Sequence, residues 1–340
     1  MLDDNKILTL ANAERIPMSD NCKMTFEVEN LDNASPATVS RCGIIYVSPP
    51  DLGWEPLFDT WCKDRIETKT YVASDESDWI NQFVQKYIEK PNLVTALQKG
   101  YIYMMPCPMI IRVTQFLSLL QAVLLPHATR GEPVDKKVFE LYFVYCLAWS
   151  FAGLFETDDR QRFHREILEK SGAPLPAISA ARAQTDKETV FDYCVHYESK
   201  SWKPWEVPEW QPPRRLIFSQ LLIPTSDSIR ADFIMERISN LPVIKHKGRH
   251  ENGLKNTLLV GGSGTAKTSV CMMFSSRFDS NVMLFKRINF SSATEPRNFQ
   301  DSIESEIERK QARIFVPPNN KNMTVFLDDL SMPFVNAWGD

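Results

Sequence analysis

The chain has 340 residues, enough for about two domains with sizeable cores. Its 39 basic and 43 acidic residues give a formal net charge of −4, which argues against a protein that holds nucleic acid by charge. With 43% hydrophobic and 24% charged residues it reads as an ordered globular protein, and 12 glycines against 22 prolines make its turns lean on proline.

The opening MLDDNK lacks the basic and apolar regions of a signal peptide. Residues 141–155 form a long uncharged stretch. It is shorter than the ~20 apolar residues a membrane span needs, so a buried helix is expected. Seven cysteines, at 22, 42, 62, 107, 146, 194 and 271, form no CxxC pair. They predict reduced, mostly buried thiols in an intracellular protein. His246 and His250, in KHKGRH, read as a solvated basic turn, because no cysteine or carboxylate cluster accompanies them.

In chain order, residues 1–65 are strand-like, with ILTL, MTFEVEN and GIIYVSP, and a short helical patch, ASPATVSR, before the last of these. Residues 78–170 carry apolar residues at the helical spacing in WINQFVQKYIEK, MIIRVTQFLSLLQAVLL and DKKVFELYFVYCLAWSFAGLF. Pro106, Pro108, Pro126 and Pro133 are expected to mark helix ends. Residues 171–215 are turn-rich and include Trp202, Trp205 and Trp210 spaced by prolines. That pattern suits a partner ligand or an ordered connector packed on its neighbours, and the connector is the commoner case. From 216 on, strands (LIFSQLLIP, NTLLV, VMLFKRINF, MTVFLDD) alternate with helices (SIRADFIMERISNL, SVCMMFSSRF, PRNFQDSIESEIERK), the pattern of a parallel sheet.

Gly261, Gly262, Ser263, Gly264, Thr265, Ala266, Lys267 and Thr268 form the sharpest motif, lying between an apolar strand and a helix. They follow GxxxxGK[ST], in which a curled backbone turns N–H groups toward phosphate oxygens and the helix N-terminus adds partial positive charge. Lys267 is placed to reach the β- and γ-phosphates of ATP or ADP, and Thr268 to ligate Mg²⁺. Ala266 departs from the pattern, and its methyl penalises a positive φ. Asp328 and Asp329 end the apolar strand VFLDD, with Asp328 61 residues after Lys267, in the layout of the acidic strand of such sites. Asp328 is expected to hold Mg²⁺ through water. Asp329 stands where many such ATPases carry a catalytic glutamate. One methylene shorter, it predicts nucleotide binding with weak or no hydrolysis.

The strings LDDNKILTLANAERIPM (2–18), FEVENLDNASPATVSRCGIIYVSPPDLGW (26–54), GGSGTAKT (261–268), INFSSATEP (288–296) and MTVFLDDLSMPFVNAWGD (323–340) resemble, in order, the AAA+ motor region of dynein heavy chains, most like the axonemal outer-arm branch. The resemblance implies an α/β fold of P-loop AAA+ modules, parallel sheets with flanking helices, plus an all-helical lid. It implies that 1–65 is the later part of the second AAA+ large subdomain and 66–170 that module's lid. Residues 171–215 are then the connector, and 216–340 the front of the third module. The phosphate loop of the second module would lie upstream of Met1. Asn30 would fall where the family places a polar sensor of the γ-phosphate. Arg41 would be an arginine finger reaching the preceding module's nucleotide, a task for which a planar, always-charged guanidinium is suited. Otherwise Arg41 reads as a surface residue. Arg112 would be a sensor or a core-edge arginine, and Ile223 with Pro224 would be apolar contacts to the adenine.

On that resemblance the chain belongs to an ATP-driven motor of cilia or flagella, located in the cytoplasm, cytoskeleton and axoneme, with a regulatory third-module site. Its partners would be the other AAA+ modules of the same heavy chain, and, through parts outside this chain, intermediate and light chains and microtubules. Neither nucleic acid nor membrane is expected. Alone, the chain is expected to bind nucleotide with little or no hydrolysis. The competing reading is a truncated, non-catalytic nucleotide-binding or interaction protein. An unrelated P-loop kinase, which needs substrate-binding arginines and a lid after the loop, is not expected, because the sequence ends too soon after it.

Overall fold

The computed structural model describes residues 7–9, 12–19, 21, 23–48, 53–178, 188–212, 221–241, 245–246, 249–250, 256–311 and 314–335, in two units, Met1–Gly53 and Trp54–Asp340. In the first unit, β1 (Ile7–Thr9) pairs antiparallel with β2 (Arg15–Pro17). The patch ASPATVSR forms α1 (Pro36–Arg41). Ser35 caps it by accepting from the Thr38 N–H, and Pro36 fits the first turn, where no backbone donor is needed.

Two strands expected here are not formed. Residues 24–30 and 43–48 make no ladder among the described residues. Phe26 and Val28 are exposed, and Ile45 is 88% exposed. The β preference of Val, Ile and Tyr is largely a preference for packing against neighbouring strands, and an apolar string without a paired neighbour has nothing to realise it.

The second unit begins with a helical bundle: α2 (Glu55–Glu67), α3 (Glu76–Val84), α4 (Leu93–Gly100), α5 (Met109–Arg130), α6 (Lys136–Ala152) and α7 (Thr157–Phe163). α3 and α7 each continue into a π-helical stretch, 85–89 and 164–169. The uncharged string at 141–155 is the buried core expected of it. Most of α6 is buried, and Phe116 of α5 meets Phe143 of α6 edge-on at 4.9 Å. α5 is long and apolar enough to cross a membrane by length and composition, yet more than half of its most apolar window is covered by the rest of the bundle.

Pro126 lies inside α5 rather than at its end. It removes one donor near the C-terminus, and the helix runs one further turn to Gly131. Gly131 there adopts φ +66°, and the Glu132 N–H bonds back to the His127 carbonyl.

A charged network is built into the bundle. Arg65 is only 2% exposed and donates from Nε and Nη2 to the two oxygens of Glu76 at 2.5 and 2.9 Å, and from Nη1 to Gln121 at 2.7 Å. Glu76 also accepts from the Val72 N–H at 2.8 Å. These bonds answer the desolvation of both charges. Of the described cysteines only Cys146 is buried and the others are half-buried, so the expectation of mostly buried thiols is corrected.

The Trp-rich stretch is ordered against the bundle. β3 (Tyr193–His196) and β4 (Ser201–Pro204) form an antiparallel hairpin packed on α6. Trp202 donates its indole N–H to the Pro174 carbonyl at 2.5 Å, and Trp205 packs on Phe233 of α8 (Ser226–Ser239). α8 packs on α5 on one side and on α9 (Lys267–Ser275) on the other. It therefore joins the bundle to the α/β part.

The α/β part holds a parallel pair, β7 (Met283–Asn289) and β10 (Asn322–Asp328), in register from Met283↔Asn322 to Asn289↔Asp328. Between them come α10 (Pro296–Glu304) and an antiparallel hairpin of β8 (Glu308–Gln311) and β9 (Ile314–Val316). The helix predicted over 296–310 thus stops at Glu304, because 308–311 finds a ladder partner instead. Residues 256–260, expected as the strand before the phosphate loop, form no ladder among the described residues, and Leu258 and Val260 are exposed. The strand expected over 216–224 lies partly outside the described residues, and 221–224 is not in a strand. A short hairpin, β5 (Lys245–His246) with β6 (Arg249–His250), occupies the KHKGRH turn.

Candidate functional site

The glycine-rich segment curls directly into the N-terminus of α9. Gly264 has φ +76°, and Ala266, the helix N-cap, has φ +61°. Gly264 pays nothing for that angle, whereas an L-residue in the left-handed region costs about 1–2 kcal/mol. The departure from the glycine pattern therefore falls on a position whose backbone calls for glycine. A Cβ on Gly261 would meet Thr265 Oγ1 at 2.8 Å, while Gly262 and Gly264 face open space. The loop is tied internally by Thr265, whose hydroxyl donates to the Gly262 carbonyl at 2.9 Å. Lys267 folds over it, its ammonium donating to the carbonyls of Gly261 and Gly262 at 3.0 and 2.7 Å. Ser263 is exposed on the same turn.

Thr268 and Asp328 meet. The Thr268 hydroxyl lies 3.1 and 3.2 Å from the two oxygens of the Asp328 carboxylate, across 60 residues of sequence. The strand β10 delivers that carboxylate, and pairing with β7 fixes it, the Phe290 N–H donating to the Asp328 carbonyl at 2.9 Å. Asp329 follows with φ +56°, a left-handed turn that aspartate tolerates better than most residues. It is exposed, and its carbonyl accepts from the Met332 N–H at 3.0 Å.

Cys271 lies one turn into α9. Burial first, and the Asp328 carboxylate second, push its thiol up to about 11, so it stays protonated at neutral pH. Below the loop, Arg277 bonds Asp232 of α8 at 2.7 Å, with Glu236 at 3.6 Å.

One contact escaped the sequence reading. Arg287 on β7 donates from Nη2 to Asp328 Oδ2 at 2.7 Å and from Nε to Asn289 Oδ1 at 2.8 Å. Arg287 and Asn289 share a face of β7 by the two-residue repeat, and Asn289 is the register partner of Asp328. The basic residue two positions before the strand end was the available signal, but it needs the register to be read.

Residues 210–340 match the family described as the P-loop containing dynein motor region, and residues 80–207 match the dynein heavy chain AAA lid domain. The chain belongs to the dynein heavy-chain family. It is 39% identical to the gamma chain of the flagellar outer arm of Chlamydomonas reinhardtii, over all of this chain and 7% of that one. It is 36% identical to dynein axonemal heavy chain 8 of Homo sapiens and 35% identical to dynein axonemal heavy chain 5 of Mus musculus, again over all of this chain and 7% of each. The chain thus spans about 7% of the length of the curated relatives it matches. The α/β P-loop region with a helical lid that the resemblance implied is the architecture found.

The other expected residues of this dynein stretch belong to several different elements. Ile223 and Pro224 lie in the loop before the α8 N-cap Thr225, with Ile223 exposed. Arg41 is the last residue of α1, as expected, and is exposed, in the first unit. Asn30 makes a local turn, its side chain accepting from the Asp32 N–H at 3.2 Å. Arg112 is buried in the bundle, where its guanidinium bonds the Tyr103 hydroxyl and lies 3.7 Å from the Tyr103 ring centre.

Proposed function

We propose that residues 261–268 with Asp328 form a nucleotide site that takes ATP or ADP together with Mg²⁺. We further propose that it works as a regulatory clamp in the third AAA+ module of an axonemal dynein motor. One observation carries this reading: the Thr268 hydroxyl at the helix start lies against the Asp328 carboxylate at the strand end, within 3.2 Å, beside a glycine loop open at Gly262 and Gly264.

The residues suit the metal. A hydroxyl and a single carboxylate are hard oxygen donors, and Mg²⁺ characteristically takes one or two such ligands plus phosphate oxygens and water. Thr268 and Asp328 would hold it, and it would supply neutralisation of charge across the β- and γ-phosphates. Loop N–H groups at the start of α9 supply donors for phosphate oxygens. Lys267, now bonded to the loop's own carbonyls, has a cation free to exchange them for phosphate. Ile223 and Pro224 would contact the base. Asp329, exposed and short, supports weak or absent hydrolysis.

Arg41 we assign as the finger for the preceding module, supported by its place at the end of the α1 helix in the SPATVSR string. In the wider heavy chain, hydrolysis at such sites would drive microtubule-based movement of cilia or flagella. Other AAA+ modules, intermediate and light chains and microtubules would be the partners.

Thr268→Val tests the site. It removes the hydroxyl at nearly constant volume. With Mg²⁺ present, ADP affinity should fall on the order of tenfold, while affinity in EDTA should stay unchanged. Equal loss in both conditions would show that Thr268 does not serve the metal.

A further inference from the structure

Asp328 is already occupied by a cation that belongs to the chain. The carboxylate side chain is 14% exposed, and a shielded carboxylate without a counter-charge is costly. Arg287 supplies that charge at 2.7 Å. Its side chain is 39% exposed, so the guanidinium is wet on its other side. It has a second tether, Nε on Asn289 at 2.8 Å, and lies 5.8 Å from the Phe326 ring centre. It can therefore give up Asp328 without losing its place on β7. The Thr268 hydroxyl meanwhile spends its proton on the same carboxylate.

We propose that Arg287 is the resident counter-ion of the metal position: it holds Asp328 when no divalent cation is bound and must release it before one can bind. The inference rests on the reading of this loop as a magnesium–nucleotide site. Two consequences follow from charge alone. A guanidinium on Asp328 repels free Mg²⁺, so metal enters together with the negative charge of a nucleotide. The arginine also raises the magnesium concentration at which nucleotide binding becomes tight. Arg287 is a positioning residue here, acting through Asp328.

The test is binding of a fluorescent ADP analogue to the 340-residue chain, titrated with magnesium from EDTA to millimolar concentration. Arg287→Met removes the charge and keeps the bulk, and Arg287→Gln is the second variant if the methionine form does not fold. Either should lower the magnesium midpoint, by up to about fivefold, the range of a part-exposed ion pair. Arg287→Lys, which keeps a cation, should stay near the unsubstituted midpoint. A purely structural arginine would lower the melting temperature and leave the midpoint where it was, and that result overturns the proposal. Weaker binding of the analogue with and without magnesium would mean that Arg287 touches phosphate directly, and it overturns the proposal as well. If the unsubstituted chain, folded by its melt, binds no analogue at any magnesium concentration, the nucleotide reading itself fails and takes this inference with it.

Discussion

The helical bundle and the phosphate-loop region of the second unit solve opposite problems. The bundle buries most of α6, and its buried Arg65 is answered inside it by Glu76 and Gln121. The phosphate-loop region is built on a two-stranded parallel sheet, and it leaves Leu258, Val260, Phe334 and Val335 exposed. Parallel sheets are usually covered on both faces, so this region draws its rigidity from α8 and from local ties such as Thr265 to Gly262 and Arg277 to Asp232. The comparison teaches where each region is vulnerable. The bundle fails through its interior, and the loop through its backbone and its exchangeable polar contacts.

The largest effect should come from the bundle's interior. Glu76→Gln leaves the Arg65 guanidinium buried against a neutral amide, and the chain should lose about 3–5 kcal/mol in denaturant unfolding. A loss below 1 kcal/mol would mean that water reaches the pair and that the bundle is less closed than described. A smaller change of opposite sign is expected in the loop. Ala266→Gly relieves the φ +61° position, and after the extra freedom glycine gains in the unfolded chain the net gain should be about 0.5–1 kcal/mol. Amide exchange at the start of α9 should slow accordingly, and unchanged exchange there would show that the left-handed cap is not a point of strain.

The smallest effect is a pH dependence confined to the bundle. Burial holds the His164 imidazole below its usual pKa, with nearby Glu169 opposing, and its Nδ1 accepts from the Val190 N–H at 3.3 Å. The unfolded chain therefore binds this proton more readily than the folded one. The stability is fully present above the ordinary histidine pKa and is lost as pH falls from there toward the depressed folded value. Amide exchange around 164–169 and 188–192 should quicken as pH falls below the ordinary histidine range, after correction for the intrinsic rate, while α9, with no histidine, should not respond. A uniform response of both regions would point to a global cause.

The bundle was legible in sequence because its signal is local. Apolar spacing of three and four residues marks α5 and α6 whatever lies around them, and only Pro126, tolerated one turn from the end, misled. The strands at 24–30, 43–47 and 256–260 carried equally good local signals and formed no ladder, because a strand is defined by a neighbour that the local string does not contain. The candidate site divides along the same line. The loop glycines, Lys267, Thr268 and Asp328 are spelled out by a motif, and the penalty at Ala266 could be foreseen from its missing glycine. Arg287 could not be placed, since its meeting with Asp328 depends on the parallel register of β7 and β10.

The most direct measurement is calorimetric titration of the chain with Mg-ADP, alongside Lys267→Ala. The unsubstituted chain should bind at one site, and the variant, melting at the same temperature, should show no binding in the same range. Equal binding by both would contradict the assignment of nucleotide to this loop.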